Sequence, residues 1–102
     1  MSKALGKYVQ TSQDVLLYNI DYSQWLGSGE TISGTPTFTV ETTTSPPLVI
    51  NNVSVDSLTH TLVAFYASGG VSGTQYNVTV STNTSAGQTK EDYVVFSIKD
   101  PP

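Results

Sequence analysis

Between Tyr76 and Ile98 the chain alternates apolar and polar residues, a period of two that suits only an extended strand with one buried face. Tyr76, Val78 and Val80 interleave with Asn77, Thr79 and Ser81. Asn83 to Gly87 then supplies turn residues, and Tyr93 to Ile98 runs back with Val94, Phe96 and Ile98 on one side. This predicts a terminal hairpin. The same period appears upstream, where Leu16, Tyr18, Ile20 and Tyr22 alternate with Leu17, Asn19 and Asp21 and predict a first strand from Val15. Thr31 to Thr42 is rich in β-branched residues, with Phe38 and Val40 on one face, a bent start at Pro36 and a break expected at Gly34. Leu48 to Val55 reads as one strand or two short ones, and Asp56-Ser57 as the turn after it. Thr59 to Ala67 offers apolar groups to both faces, the pattern of a strand buried on two sides, with His60 pointing outward.

No helical period outlasts a single turn. Ser23-Gln24-Trp25-Leu26 is one such turn, capped by Asp21 or Ser23 and ended by Gly27 and Gly29, with Trp25 expected to plug one end of the core. Gly69, Gly70 and Gly73 supply a tight crossover. Turn signals at intervals of about ten residues between about seven short strands predict an all-β chain, an immunoglobulin- or fibronectin-like β-sandwich, with a small barrel or jelly roll as the alternative. In such sandwiches a tyrosine near the start of the penultimate strand ties its hydroxyl to the backbone, and Tyr76 stands in that place.

A chain of 102 residues makes one domain. Residues 1–13 follow neither period and read as an extended N-terminal arm, able to reach roughly 40 Å across a neighbouring subunit, with Leu5, Tyr8 and Val9 as apolar anchors; a frayed terminus is the plainer alternative. Residues 14–99 form the expected sandwich and 100–102 a Pro-rich tail.

Charge narrows the function. Four Lys, no Arg and eight acids give a formal net charge of −4, which argues against nucleic acid, since phosphate binding needs clustered cations. No N-terminal run has the form of a signal peptide and no apolar run is long enough to span a bilayer, so the expected origin is a cytoplasm. With no cysteine there is neither a disulfide nor a thiolate metal site. The sequons at Asn52, Asn77 and Asn83 are coincidental in so Ser- and Thr-rich a chain.

The inventory for catalysis is thin. His60 is the single histidine, no Gly-x-Ser-x-Gly elbow frames a nucleophile, and of the eight acids only Glu91 and Asp92 are adjacent, on opposite faces if they lie in a strand. The stretch from Asp21 to Glu30 lacks the acid spacing of a calcium loop, and the glycines at 69, 70 and 73 match no phosphate-binding loop. Neither catalytic residues, nor a metal, nor a cofactor are expected.

One block is distinctive. Asp14-Val15-Leu16-Leu17-Tyr18-Asn19-Ile20-Asp21-Tyr22-Ser23-Gln24-Trp25-Leu26, followed by Gly29-Glu30-Thr31-Ile32, resembles a group of small tailed-phage virion proteins, the fibre-tail adaptors, in which an extended arm leads into a pattern containing D-W-x-x-W-L-x-x-G-D-T-I. Tyr22 stands where that group often has Trp, and Glu30 where it often has Asp. Ser68-Gly69-Gly70, Gly73-Thr74-x-Tyr76-x-Val78 and the terminal hairpin extend the resemblance over about residues 14–98. It implies a structural protein of the virion, an adaptor joining tail fibres or tail parts to the phage body and docking against other virion proteins as a homo-oligomer. Capsid cement and a generic surface or carbohydrate-binding module are the alternatives. Tyr22 joins Leu5, Tyr8 and Val9 as an expected partner contact, and Trp25 is a core plug or an interface anchor.

Overall fold

The computed structural model describes residues 4–101, with side chains from residue 6 onward. Seven strands run in order: β1 (Ala4–Gln10), β2 (Val15–Asp21), β3 (Ile32–Val40), β4 (Leu48–Val55), β5 (Leu62–Gly69), β6 (Gln75–Thr84) and β7 (Thr89–Ile98). They form a four-stranded sheet, β1-β7-β6-β3, and a three-stranded sheet, β2-β5-β4. There is no helix among the described residues.

The hairpin expected at the end of the chain is the spine of the larger sheet. Tyr76 pairs with Phe96, Val78 with Val94 and Thr82 with Lys90, without a shift in register. The residues of the apolar parity, Tyr76, Val78, Val80, Val94, Phe96 and Ile98, are all buried, and they meet Val63, Phe65 and Ala67 of β5. Phe65 and Phe96 touch edge to face across the two sheets at 6.3 Å, and Phe38 tilts onto Phe65 at 4.7 Å. Burying each such ring contributes about 1.5–3 kcal/mol.

Two strands are kinked where their sequences break the pattern. The pairing of β3 with β6 shifts between Ser33 and Thr37, at Gly34 with φ 72°. The pairing of β4 with β5 shifts between Asn51 and Ser54, around Asn52 with φ 53°, so Leu48–Val55 is one bulged strand. The fifth strand begins at Leu62, later than Thr59. The Asp56 carboxylate accepts bonds from the backbone N–H groups of Thr59, Thr61 and Leu62 and closes a turn over 56–61. His60 therefore sits in that turn, exposed and at φ 54°, and not on a strand.

The N-terminal segment is extended, but from Ala4 to Gln10 it is docked on its own domain as a parallel edge strand beside β7. Two side chains hold it. Tyr8 packs on Tyr18 at 4.5 Å and on Phe96 at 5.1 Å. Gln10 is buried, donating to the Ala67 carbonyl at 3.2 Å and accepting from the Tyr18 hydroxyl at 2.7 Å. Beyond it, the Asp100 carboxylate accepts from the backbone N–H and the hydroxyl of Ser12 at 2.7 and 2.9 Å, so the start of the C-terminal tail pins the connection into β2.

Candidate docking face

The three-stranded sheet turns one face to the core and leaves the other uncovered. Ile20 and Tyr22 on β2 and its extension, and Val63, Phe65 and Ala67 on β5, point inward and are buried. By alternation their neighbours point outward. Across the strands these outward residues form rows: Val15, Ser68 and Val49; Leu17, Tyr66 and Asn51; Asn19, Ala64 and Ser54; and Asp21 beside Leu62. Val15 is 65% exposed, Leu17 52% and Val49 44%, and Leu58, at the tip of the β4–β5 turn, is 92% exposed. Asp21 is the one charged residue in these rows.

The outer face of the four-stranded sheet has a different character. Lys7, Glu41, Gln75, Asn77, Thr79, Tyr93 and Val95 line an open groove of about 420 Å³ there. Amides, a hydroxyl and one charge of each sign line it beside Val95 and Tyr93, its single aromatic ring. Among the described residues most of the exposed large apolar side chains thus lie on the three-stranded sheet and its turn, with Val9 on β1 and Trp25 outside it. Isolated exposed apolar residues are ordinary, whereas a contiguous set rimmed by polar groups marks a contact surface. At ~3.3 Å per residue and ~4.8 Å per strand the face measures roughly 23 by 15 Å, or about 350 Å², under half of the ~800 Å² per partner of a stable pairwise complex.

The anchors expected from the sequence are scattered by this geometry. Tyr22 is a core residue, 2% exposed, and its hydroxyl accepts from Thr82 at 3.1 Å; burial pushes that hydroxyl's pKa up, and the Thr82 bond partly offsets it. It cannot meet a partner in the folded chain. Tyr8 is half-buried under Tyr18 and Phe96, and burial raises its pKa too. Val9 is exposed on β1, 68% of its surface open to solvent, and the side chain of Leu5 lies outside the described residues. Trp25, expected as a core plug, is instead 39% exposed, lying edge-on to Tyr22 at 6.3 Å. Lys90 stands over its ring at 5.2 Å while pairing with Asp92 at 2.9 Å. Tyr22, already inside, closes the end of the core that Trp25 was expected to fill.

Among the described residues no group of three or more His, Cys, Asp or Glu side chains could hold a metal ion. The buried Asp92 carboxylate is engaged by Lys90.

A comparison with protein families decides the class. Residues 10–97 match the model described as podophage GP4 fiber-tail adaptor protein gp77. The chain belongs to this family. No curated protein matches it. The matched span takes in all of β2 to the penultimate residue of β7, hence the whole three-stranded sheet and its uncovered face, while of β1 it includes Gln10 alone.

The sequence did carry a signal for this face. Val15-Leu16-Leu17 and Leu62 to Tyr66 are apolar on both parities, the mark of strands covered on both sides. In the fold one side of each meets the core, and no second layer covers the other among the described residues.

Proposed function

We propose that the chain is a non-enzymatic structural protein of a tailed-phage virion, an adaptor that attaches tail fibres or other tail components to the phage body. Membership of the fiber-tail adaptor family across residues 10–97 carries this reading. The uncovered face of β2, β5 and β4 gives it a physical means. Val15, Leu17, Val49, Leu62 and Tyr66 present apolar surface on a rigid sheet, and hydrophobic burial against another virion protein is the driving force. Because each face is small, firm attachment comes from several copies engaging together, which fits a homo-oligomer arranged around the tail. The partners are protein, not nucleic acid or membrane, in keeping with a net charge of −4 and the absence of Arg.

Phage produced without this chain tests the proposal. The expected particles have filled, intact heads and tails that lack fibres, and they regain fibres when the chain is supplied in trans. Particles that keep their fibres but lose DNA from unstable heads would assign the chain to capsid cement instead.

A further inference from the structure

A sandwich of two open sheets has four edges, here β1, β3, β2 and β4. Each edge offers unpaired backbone N–H and C=O groups to any extended chain, and folded proteins interrupt such edges with bulges, prolines, glycines or lysines. Three of the four are interrupted. β3 carries Gly34 and Pro36 and shifts register between Ser33 and Thr37. β4 shifts between Asn51 and Ser54. β1 shifts between Ala4 and Gly6 and carries Lys7.

β2 has none of these devices. Its residues Val15 to Asp21 pair one for one with Ser68 to Leu62 without a shift, and it contains no glycine, proline or lysine. β1 packs near it through Tyr8 and Tyr18 but pairs with β7 in the other sheet. Leu16 has the inward parity of Tyr18 and Ile20, yet it is 42% exposed, so the edge is uncovered at this point.

We infer that the free edge of β2 is a strand-accepting site, along which an extended segment of a different virion protein adds as a fourth strand to the β2-β5-β4 sheet. The inference rests on the adaptor reading and specifies its mode of docking, main-chain pairing supplemented by the apolar outer face. Charge defines the occupant. Asp14 and Asp21 stand at the two ends of β2, and no basic residue lies between them. An occupant with alternating apolar residues flanked by Lys or Arg complements that pattern. A second copy's β2 does not. Run antiparallel about Tyr18, it would set Asp21 of each chain opposite Val15 of the other, an acid with no cation to pair it, and run parallel in register it would set like acids side by side. Like charges across a strand pair destabilise it.

Hydrogen exchange of the isolated chain and of the same chain within purified tails tests this. Within tails, the β2 amides that face away from β5 should slow by about tenfold or more, while the edge amides of β3 and β4 keep their rates. Equal exchange of β2 in both states, with the chain present in the tails, would overturn the inference and leave the adaptor reading standing. Absence of the chain from tails would instead defeat the adaptor reading, and the inference with it. The chain has no cysteine, so Asn19→Cys labelled with a photo-cross-linker identifies the occupant. It should capture a peptide of another virion protein, and capture of residues 14–22 of a second copy would also overturn the inference.

Discussion

The hydroxyl of Tyr76 donates to the carbonyl oxygen of Pro46 at 3.1 Å, and its own oxygen accepts from the backbone N–H of Val71 at 2.8 Å. One buried side chain thereby joins the start of β6 to the loop before β4 and to the crossover after β5. Tyr76→Phe keeps the ring and removes both bonds. It should cost about 1–2 kcal/mol, because a buried donor and acceptor lose their partner. For a domain of this size that is roughly 5–15 °C in Tm. A thermal melt within 2 °C of wild type, at about the precision of such scans, would show that the bonds contribute nothing net.

Acid sensitivity should centre on the β4–β5 turn. Asp56 accepts backbone bonds from Leu62, Thr59 and Thr61, and these hold its carboxyl well below the usual carboxylate range. A pKa lower in the folded than in the unfolded chain means that the stabilisation is fully present above about pH 4 and is lost as pH falls toward the folded value. Asp56→Ala should lower the urea midpoint at pH 7, and the gap from wild type should narrow as pH drops through about 3. A gap that widens on acidification would contradict the assignment.

The edge strand β1 contributes to the fold itself. Tyr8→Ala would uncover Tyr18 and Phe96, and with the ring half-buried the expected loss is about 2 kcal/mol in chemical denaturation. Removing residues 1–13 should destabilise the isolated domain further, since it also strips the Gln10 bonds and bares the edge of β7. An unchanged denaturation midpoint for the truncated chain would mean that β1 is an ornament on a domain complete without it.

Docking and folding should separate at Leu17. Its side chain points away from the core and is half exposed, so Leu17→Lys should change stability by no more than about 0.5 kcal/mol. A charge in the middle of the apolar rows should still reduce incorporation into particles, measured by competing tagged variant against wild type during assembly. Equal incorporation would remove this face from the docking surface.

Much of the fold was legible because its strands obey a simple alternation. The inward sets Tyr76-Val78-Val80 and Val94-Phe96-Ile98 are buried, as their parity predicts. β1 was illegible for a physical reason: its pattern is inverted. The apolar Val9 faces solvent, and the polar Gln10 is buried, because its amide finds the Ala67 carbonyl and the Tyr18 hydroxyl. No scale of hydrophobicity anticipates a polar residue whose partners lie on strands 8 and 57 positions away. The exchanged roles of Tyr22 and Trp25 have a similar origin, since the smaller ring continues the parity of β2 into the core while the larger one falls on the turn beyond it. The docking face was visible only as an excess of apolar residues at Val15-Leu16-Leu17 and Leu62 to Tyr66, whose meaning depends on which layer is missing.

The most direct test of the adaptor role is a count. Quantitative mass spectrometry of purified virions, with the major capsid protein as the internal standard, should find about twelve copies or fewer of this chain per particle, the stoichiometry of a ring around the tail. Hundreds of copies would place it on the capsid shell and contradict the account.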